Sequence, residues 1–137
     1  MYVEEPLIAL SSADRAGRCR WVSIQTANPV RVVPDACMDV IWNGQELFIA
    51  GPDTRPVAYD APVGTCTVGV RFAPGHAARV LDMPVVALVD RRIALTDCWG
   101  DDARRLYDQL AALHDTHNLD PRRALELLEN AVAQRFA

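Results

Sequence analysis

The order of hydrophobic and polar positions divides the chain into an N-terminal part with strand-like alternation and a C-terminal part with helical spacing. The clearest hairpin runs from Met38 to Ala50, where two apolar arms flank the turn residues Asn43 and Gly44. The clearest single strand is 65–72, in which apolar residues alternate with small or polar ones. The pattern at the N-terminus does not distinguish a strand from a helical turn. Shorter strands are predicted at 18–25, 30–33, 55–59 and 91–95.

Three helices are predicted after most of these strands. A short helix lies near 76–83 and is followed by a proline that closes it. The next helix begins with Thr96 or Asp97 as its cap and runs to about Asp115. The last begins at Pro121, a residue type that suits the first helical position. The last two helices each carry an apolar stripe and are joined by a short loop, so they form a helical hairpin.

Length and composition fit a single folded domain. The chain has 137 residues, of which 50% are hydrophobic and 23% are charged, values typical of a globular protein with a sizeable core. The order of elements predicts an α+β fold. An antiparallel β-domain occupies 1–95 and a helical segment occupies 96–137.

The charge pattern argues against nucleic-acid binding and membrane insertion by this chain. The formal net charge is −4, whereas phosphate contacts need a basic surface. No apolar run approaches the ~20 residues that span a bilayer. The first residues include Glu4 and Glu5, where a secretion signal would carry basic residues. We therefore expect a cytoplasmic protein with no membrane partner.

Motifs for catalysis and for metal or cofactor binding are scarce. The three histidines, His76, His114 and His117, all follow the principal strands, whereas a metal-dependent β-barrel enzyme needs ligands that converge inside the barrel. The sequence contains no nucleophile elbow, phosphate-binding loop or dinucleotide fingerprint. We predict no catalytic residue and no metal ligand, and the sequence specifies no cofactor. A small barrel enzyme is the least favoured alternative.

The four cysteines leave two interpretations open. None belongs to a Cys-x-x-Cys pair, so reduced and mostly buried thiols are the simpler interpretation. The alternative is a metal or redox sensor made by cysteines that meet in space. The residues concerned are Cys19, Cys37, Cys66 and Cys98.

Three strings carry a resemblance to a known family. They are 34–42 (PDACMDVIW), 51–56 (GPDTRP) and 69–75 (GVRFAPG). Together they resemble the N-terminal domain of a group of AraC-family transcription regulators, and the helical tail is similar in style, so the resemblance covers nearly the whole chain. The family often has glycine where this chain has Ala36.

The resemblance implies an architecture and a set of partners. It implies a cupin-like antiparallel β-barrel or sandwich that senses a small-molecule effector, followed by helices that mediate homodimerisation. In the family a C-terminal domain with two helix-turn-helix units binds DNA, and this chain does not contain that part. We therefore expect the sensor domain of a transcription regulator that contacts DNA only through a domain outside this chain. A standalone relative is the other alternative.

Candidate binding residues lie on the predicted strands and turns. Their types would give a mostly apolar cavity with a few polar groups, as ligand sites usually have. In the alternative interpretation the aromatic residues belong to the core and Arg71 forms a structural ion pair with Asp39 or Asp35. Gly69 would leave space beside Arg71 for a ligand or for a neighbouring backbone. The candidates are Trp21, Asp39, Trp42, Phe48, Arg55 and Arg71.

The helical hairpin also has two interpretations. One apolar stripe could pair with a second copy of the chain, in which case Leu106, Leu110 and Leu113 are the predicted dimer interface. The hairpin could instead pack entirely on its own β-domain. The second choice for the interface is the stripe of Leu125, Leu128 and Val132.

Overall fold

The computed structural model describes residues 1–7, 19–26, 30–32, 37–59, 62–72, 80–115 and 121–136. The strands come first along the chain, and the longer helices follow them. The strands are β1 (Tyr2–Glu5), β2 (Cys19–Ile24), β3 (Val30–Val32), β4 (Met38–Trp42), β5 (Leu47–Ala50), β6 (Val57–Tyr59), β7 (Cys66–Phe72) and β8 (Arg92–Ala94). The helices are α1 (Thr96–Trp99), α2 (Asp101–Asp115) and α3 (Pro121–Phe136), and a 3₁₀ turn spans Val85–Ala87.

Within the described residues the strands form two sheets. The larger has six strands in the order β1-β2-β7-β4-β5-β8, and β3 pairs with β6 in a separate two-stranded sheet. Every pairing is antiparallel. The large sheet is not closed into a barrel, since β1 and β8 are its two edges. The predicted α+β class, with an antiparallel β-domain followed by helices, is confirmed.

The β4–β5 hairpin forms where the sequence predicts it. The side-chain Oδ1 of Asn43 accepts hydrogen bonds from the backbone N–H groups of Gln45 at 3.0 Å and Glu46 at 2.7 Å. Gly44 has a φ of 96°, a conformation that glycine adopts at little cost. Local turn chemistry therefore sets the register in which Ile41 pairs with Phe48.

The helix predicted from Thr96 to Asp115 is interrupted. Gly100 has a φ of 59° and separates α1 from α2. The predicted cap is also wrong, because Leu95 occupies the N-cap position without a side-chain hydrogen bond. The acidic residues Asp101 and Asp102 lie in the first turn of α2, where the helix dipole favours negative charge.

Two other segments differ from the sequence patterns. The ambiguous N-terminal stretch contains strand β1, which forms by pairing with β2. Only Val80 and Leu81 of the helix predicted near 76–83 are described as helical, and Asp82 then has a φ of 55°. The preceding residues of that helix lie outside the described part of the chain.

The hydrophobic core lies between one face of the large sheet and the helices. Val40, Val70 and Phe72 of the central strands are fully buried on this face. Leu110 of α2 and Leu128 of α3 are likewise fully buried and belong to the same core. Strand alternation therefore places the side chains between these positions on the opposite face.

Buried ion pairs attach β1 and β2 to α3. Arg20 of β2 contacts Glu5 of β1 at 3.0 Å and Glu129 of α3 at 3.7 Å. Arg122 of α3 also donates to Glu5 at 3.1 Å. The side chains of Arg20 and Glu129 are only 9% and 3% exposed, so loss of either partner would leave a charge in the interior.

This network predicts how stability depends on pH. The hydrogen bond from Arg20, reinforced by the charge of Arg122, holds the pKa of Glu5 below its ordinary value of 4.5 despite some burial. The unfolded chain therefore takes up a proton at Glu5 at higher pH than the folded chain does. The stabilisation by Glu5 is present above the unfolded pKa and is lost as the pH falls through the folded pKa.

We expect the Glu5→Gln variant to be less stable than the parent at neutral pH, with the difference narrowing on acidification. Urea unfolding measured from neutral pH to about pH 3 would give both free-energy curves. The control is Glu126→Gln, which removes an exposed ion pair with Arg123 and should change stability by less than about 1 kcal/mol. A constant difference between the two curves would contradict the role of Glu5.

Candidate functional site

Cross-strand register aligns four of the five longest strands into one row on the face opposite the helices. Trp21 of β2 pairs with Gly69 of β7, which pairs with Ile41 of β4, which pairs with Phe48 of β5. Residues paired in this way project to the same side of a sheet. In the adjacent row Arg71 of β7 pairs with Asp39 of β4. We call this surface the site face.

Asp39 is the centre of the polar contacts on the site face. Its Oδ1 accepts hydrogen bonds from the indole Nε1 of Trp21 and from Nε of Arg71, both at 3.1 Å. A second nitrogen of Arg71 donates to Oε1 of Glu4 at 2.9 Å, and the Tyr2 hydroxyl donates to the same oxygen at 2.7 Å. We call these five residues the Asp39 cluster.

The local sequence explains why a carboxylate lies here. Met38 and Val40 both face the core, so Asp39 between them must face the other way. Asp39 is only 9% exposed, and Trp21 is only 6% exposed. A buried carboxylate is costly unless donors surround it, and Trp21 and Arg71 supply them.

Gly69 creates the space that the Trp21 ring occupies. A Cβ atom built on Gly69 would overlap the six-membered ring of the indole. The ring of Tyr2 lies 5.8 Å from that of Trp21 at a tilt of 37°. The space that the sequence predicted beside Arg71 is thus filled by an aromatic side chain of the chain itself.

The Asp39 cluster offers carboxylate acceptors for hydrogen bonds, whereas the neighbouring Cys19 thiol is poorly suited to nucleophilic chemistry. The guanidinium of Arg71 contacts two carboxylates, those of Asp39 and Glu4. Burial, together with the nearby Glu4 charge, raises the pKa of the Cys19 thiol to about 11. Cys19 is therefore protonated at neutral pH and is a poor nucleophile. Burial and the hydrogen bond to Glu4 also raise the pKa of Tyr2.

The six predicted binding residues do not all meet. Trp21, Asp39 and Arg71 come together, and the Arg71–Asp39 ion pair of the alternative interpretation is present. Trp42 faces the core instead, with its ring edge-on to Tyr107 at 5.5 Å. Arg55 is exposed in the segment between β5 and β6.

Phe48, the sixth, lies on the site face beside a groove of about 580 Å³. The groove separates β5 and β8 from the first half of α2. The guanidinium of Arg92 lies 5.5 Å from the centre of the Phe48 ring, and the Tyr107 hydroxyl donates to the backbone carbonyl of Gln45 at 3.2 Å. Sequence reasoning missed Arg92 and Tyr107 as site residues. The one sequence signal was a tyrosine, with its polar hydroxyl, in the apolar stripe of α2.

The cysteines do not assemble into a metal centre within the described ranges. None of the four forms a disulfide, and each is partly exposed. The structure, over the residues it describes, has no group of three or more histidine, cysteine or acidic residues placed to hold a metal ion. Cys98 Sγ lies 3.2 Å from Met83 Sδ, and burial raises the pKa of Cys66 and of Cys98. The histidines His76 and His117 lie outside the described residues.

The leucines predicted to form a dimer interface lie within the chain's own fold. Leu106 and Leu110 belong to the buried core, and Leu113 is partly buried against it. The second-choice stripe of Leu125, Leu128 and Val132 is buried as well. The structure favours the alternative in which the hairpin packs on its own sheet. Homodimerisation itself stays a prediction.

We expect Leu110→Ala to reduce the free energy of unfolding by about 2–5 kcal/mol, because it leaves a cavity in the core. Denaturant unfolding at several protein concentrations would measure the loss. The control is Val86→Ala, at a position that is 80% exposed. If the loss depended strongly on protein concentration, Leu110 would be stabilising an assembly instead of the core of one chain.

We expect Gly69→Ala to displace the Trp21 indole and weaken its hydrogen bond to Asp39, at a cost of about 1–3 kcal/mol. The indole N–H resonance of Trp21, assigned with Trp21→Phe, should shift in the NMR spectrum. The same Gly69→Ala change in a Trp21→Phe background should cost less, because the smaller ring leaves room. Equal costs in the two backgrounds would show that the close approach of Trp21 is unimportant.

No helix in the described part of the chain is both long and apolar enough to cross a membrane.

Comparison with known proteins places the chain in a family. Searches among curated proteins and among solved structures gave no match. Residues 18–94, more than half of the chain, match the family described as "Domain of unknown function (DUF6597)". The match spans β2 to β8 and hence most of the site face, and the chain belongs to this DUF6597 family.

Proposed function

We propose that this chain is the effector-sensing domain of a cytoplasmic transcription regulator of the AraC type. The single observation that carries the proposal is the site face, where an apolar row lies beside a buried polar cluster. Small-molecule sites have this composition, with apolar walls and a few polar groups that fix orientation. The regulatory role, and DNA binding through a domain outside this chain, are inferred from the resemblance described above.

The two rows of the site face suggest the kind of effector. Phe48, the partly exposed end of the row, would contact an apolar or aromatic body directly. Trp21 and Ile41, which are 6% and 7% exposed, would form the buried floor beside it. The neighbouring Asp39–Arg71 pair would contact a polar group on that body. Because Asp39 and Glu4 offer carboxylate oxygens as hydrogen-bond acceptors, we expect this group to donate hydrogen bonds or to carry positive charge.

A route from effector to output begins at Arg71. This residue bonds Asp39 on β4 and Glu4 on β1, so it connects the centre of the sheet with its edge. An effector that pairs with Asp39 or Glu4 would compete for the Arg71 contact. It would switch the domain only if it binds two arrangements of this contact with different affinity.

The test begins with a screen of small organic molecules for ligands that raise the melting temperature of the purified chain. Calorimetric titration of the best ligand would then compare the parent with Arg71→Ala and Phe48→Ala. We expect each variant to weaken binding by about tenfold or more, since charged hydrogen bonds and aromatic contacts are removed.

The control for both variants is Val63→Ala, which alters an exposed position, 68% accessible, in the turn before β7. It should bind the ligand as the parent does. Circular dichroism would establish that each variant is folded before its affinity is compared. If Arg71→Ala and Phe48→Ala both kept the parental affinity, the ligand would bind elsewhere and the site face would lose its assigned role.

A further inference from the structure

Over the residues that the structure describes, strand β1 has a neighbour on one side only, and its other backbone edge is open. Val3 pairs with Val22 of β2, and the backbone N and O of Met1 bond Ile24 at 2.9 and 2.8 Å. In an antiparallel ladder alternate residues direct their N–H and C=O groups to opposite sides. Tyr2 and Glu4 therefore direct theirs away from β2. Among the described residues, no backbone hydrogen bond reaches these outward groups.

Three apolar side chains lie along this edge and are accessible. Tyr2 is 49% exposed and Val3 is 43% exposed, and Met1 beside them is 59% exposed. An accessible edge strand with apolar side chains is a template for pairing with another strand. Proteins usually prevent such pairing with charged residues, prolines or bulges along the edge.

Both glutamates of β1 are already paired with arginines of the same chain. Glu4 is paired with Arg71 at 2.9 Å. Glu5 is paired with Arg20 at 3.0 Å and with Arg122 at 3.1 Å. Each glutamate of β1 therefore has a cationic partner within its own chain. The sequence contains no lysine, the residue most often used to block an edge.

We propose that β1 is a homodimerisation surface, on which a second copy of the chain adds its own β1 in antiparallel orientation about a two-fold axis at Val3. In this register Tyr2 of each copy lies opposite Glu4 of the other, and Val3 lies opposite Val3. The outward N–H and C=O groups of Tyr2 and Glu4 then form the hydrogen-bonded pairs. The two large sheets become one continuous antiparallel sheet.

Self-complementarity favours a second copy over an unrelated strand. The two-fold axis places Tyr2 of each copy opposite Glu4 of the other. The single phenol proton, which Tyr2 donates to Glu4 of its own chain at 2.7 Å, can then be donated to Glu4 of the other copy instead. The axis also places the two accessible valines in contact. A closed, isologous contact of this kind is the commonest form of dimer.

The size of the strand limits the affinity. Four residues of β1 provide much less surface than the roughly 1,600 Å² of a standard stable interface. We therefore expect a weak dimer, with a Kd of about 10 μM or above. Dissociation on dilution is part of the proposal.

The first experiment is sedimentation equilibrium of the purified chain from about 1 μM to about 1 mM, a range chosen to bracket that Kd. The parent should pass from monomer to dimer. Val3→Lys places two positive charges opposite each other at the axis and should raise the Kd at least about tenfold. Val63→Lys, at the exposed turn before β7, should leave the Kd unchanged.

The second experiment tests the register. A non-hydrogen-bonded antiparallel pair has Cα atoms about 4.5 Å apart, within the range that a disulfide spans. Val3→Cys should therefore form a cross-linked dimer under mild oxidation, whereas Val63→Cys should not. The parent, with the same four native cysteines, gives the background level.

The outcomes separate clearly. Dimers that weaken with Val3→Lys and cross-link through Val3→Cys support the proposal. A parent that stays monomeric at the highest concentration overturns it. A dimer that tolerates Val3→Lys, or that fails to cross-link through Val3→Cys, also overturns it and places the interface elsewhere, with the helices as the next surface to test.

Discussion

The structure depends on burial of one face of the large sheet under the helices. Val40, Val70 and Phe72 are removed from water by contact with a core to which Leu110 and Leu128 contribute. Each fully buried side chain of this kind contributes about 1.5–3 kcal/mol. Because side chains alternate along a strand, this burial decides which residues face the other way. Asp39 and Arg71 reach the site face for that reason and not through any local preference.

The contacts of the Asp39 cluster have a structural role whether or not a ligand binds. A carboxylate with little exposure needs its donors, so Trp21 and Arg71 stabilise the fold when nothing else is present. Binding residues that are already paired are held in fixed orientations, which lowers the entropy lost when a ligand arrives. The opposing cost is that a ligand must offer contacts at least as favourable as those it displaces. Structural pairing and ligand binding are therefore compatible at this site.

Much of the fold could be predicted from the sequence because its signals are local. Asn43 and Gly44 mark the hairpin, and the stripes of α2 and α3 follow helical spacing. The sequence could not identify β1, because its residues are largely exposed and the strand exists only through pairing with β2. The interruption at Gly100 was missed since apolar spacing continues across it.

The candidate site was predicted in part, for a related physical reason. Strand alternation puts Asp39 and Trp42 of β4 on opposite faces of the sheet. It does not show which face is the core, because all five residues of β4 are buried. The sequence placed both in the site, and packing against the helices assigns Trp42 to the core. Arg92 and Tyr107 meet at the Phe48 groove only through contacts between distant segments. Such contacts leave no periodic signal.

The ion pairs around Glu5 have a consequence for synthesis of the protein. Glu5 and Arg122 are 117 residues apart in the chain, and Glu129 lies later still. A ribosome must release nearly all of this sequence before Arg20 and Glu5 acquire their partners on the last helix. Native contacts of such long range form slowly, because the loop between them must close first. The β-domain therefore cannot complete its native contacts until α3 has been synthesised. Until then the sheet face that α3 covers is accessible to chaperones.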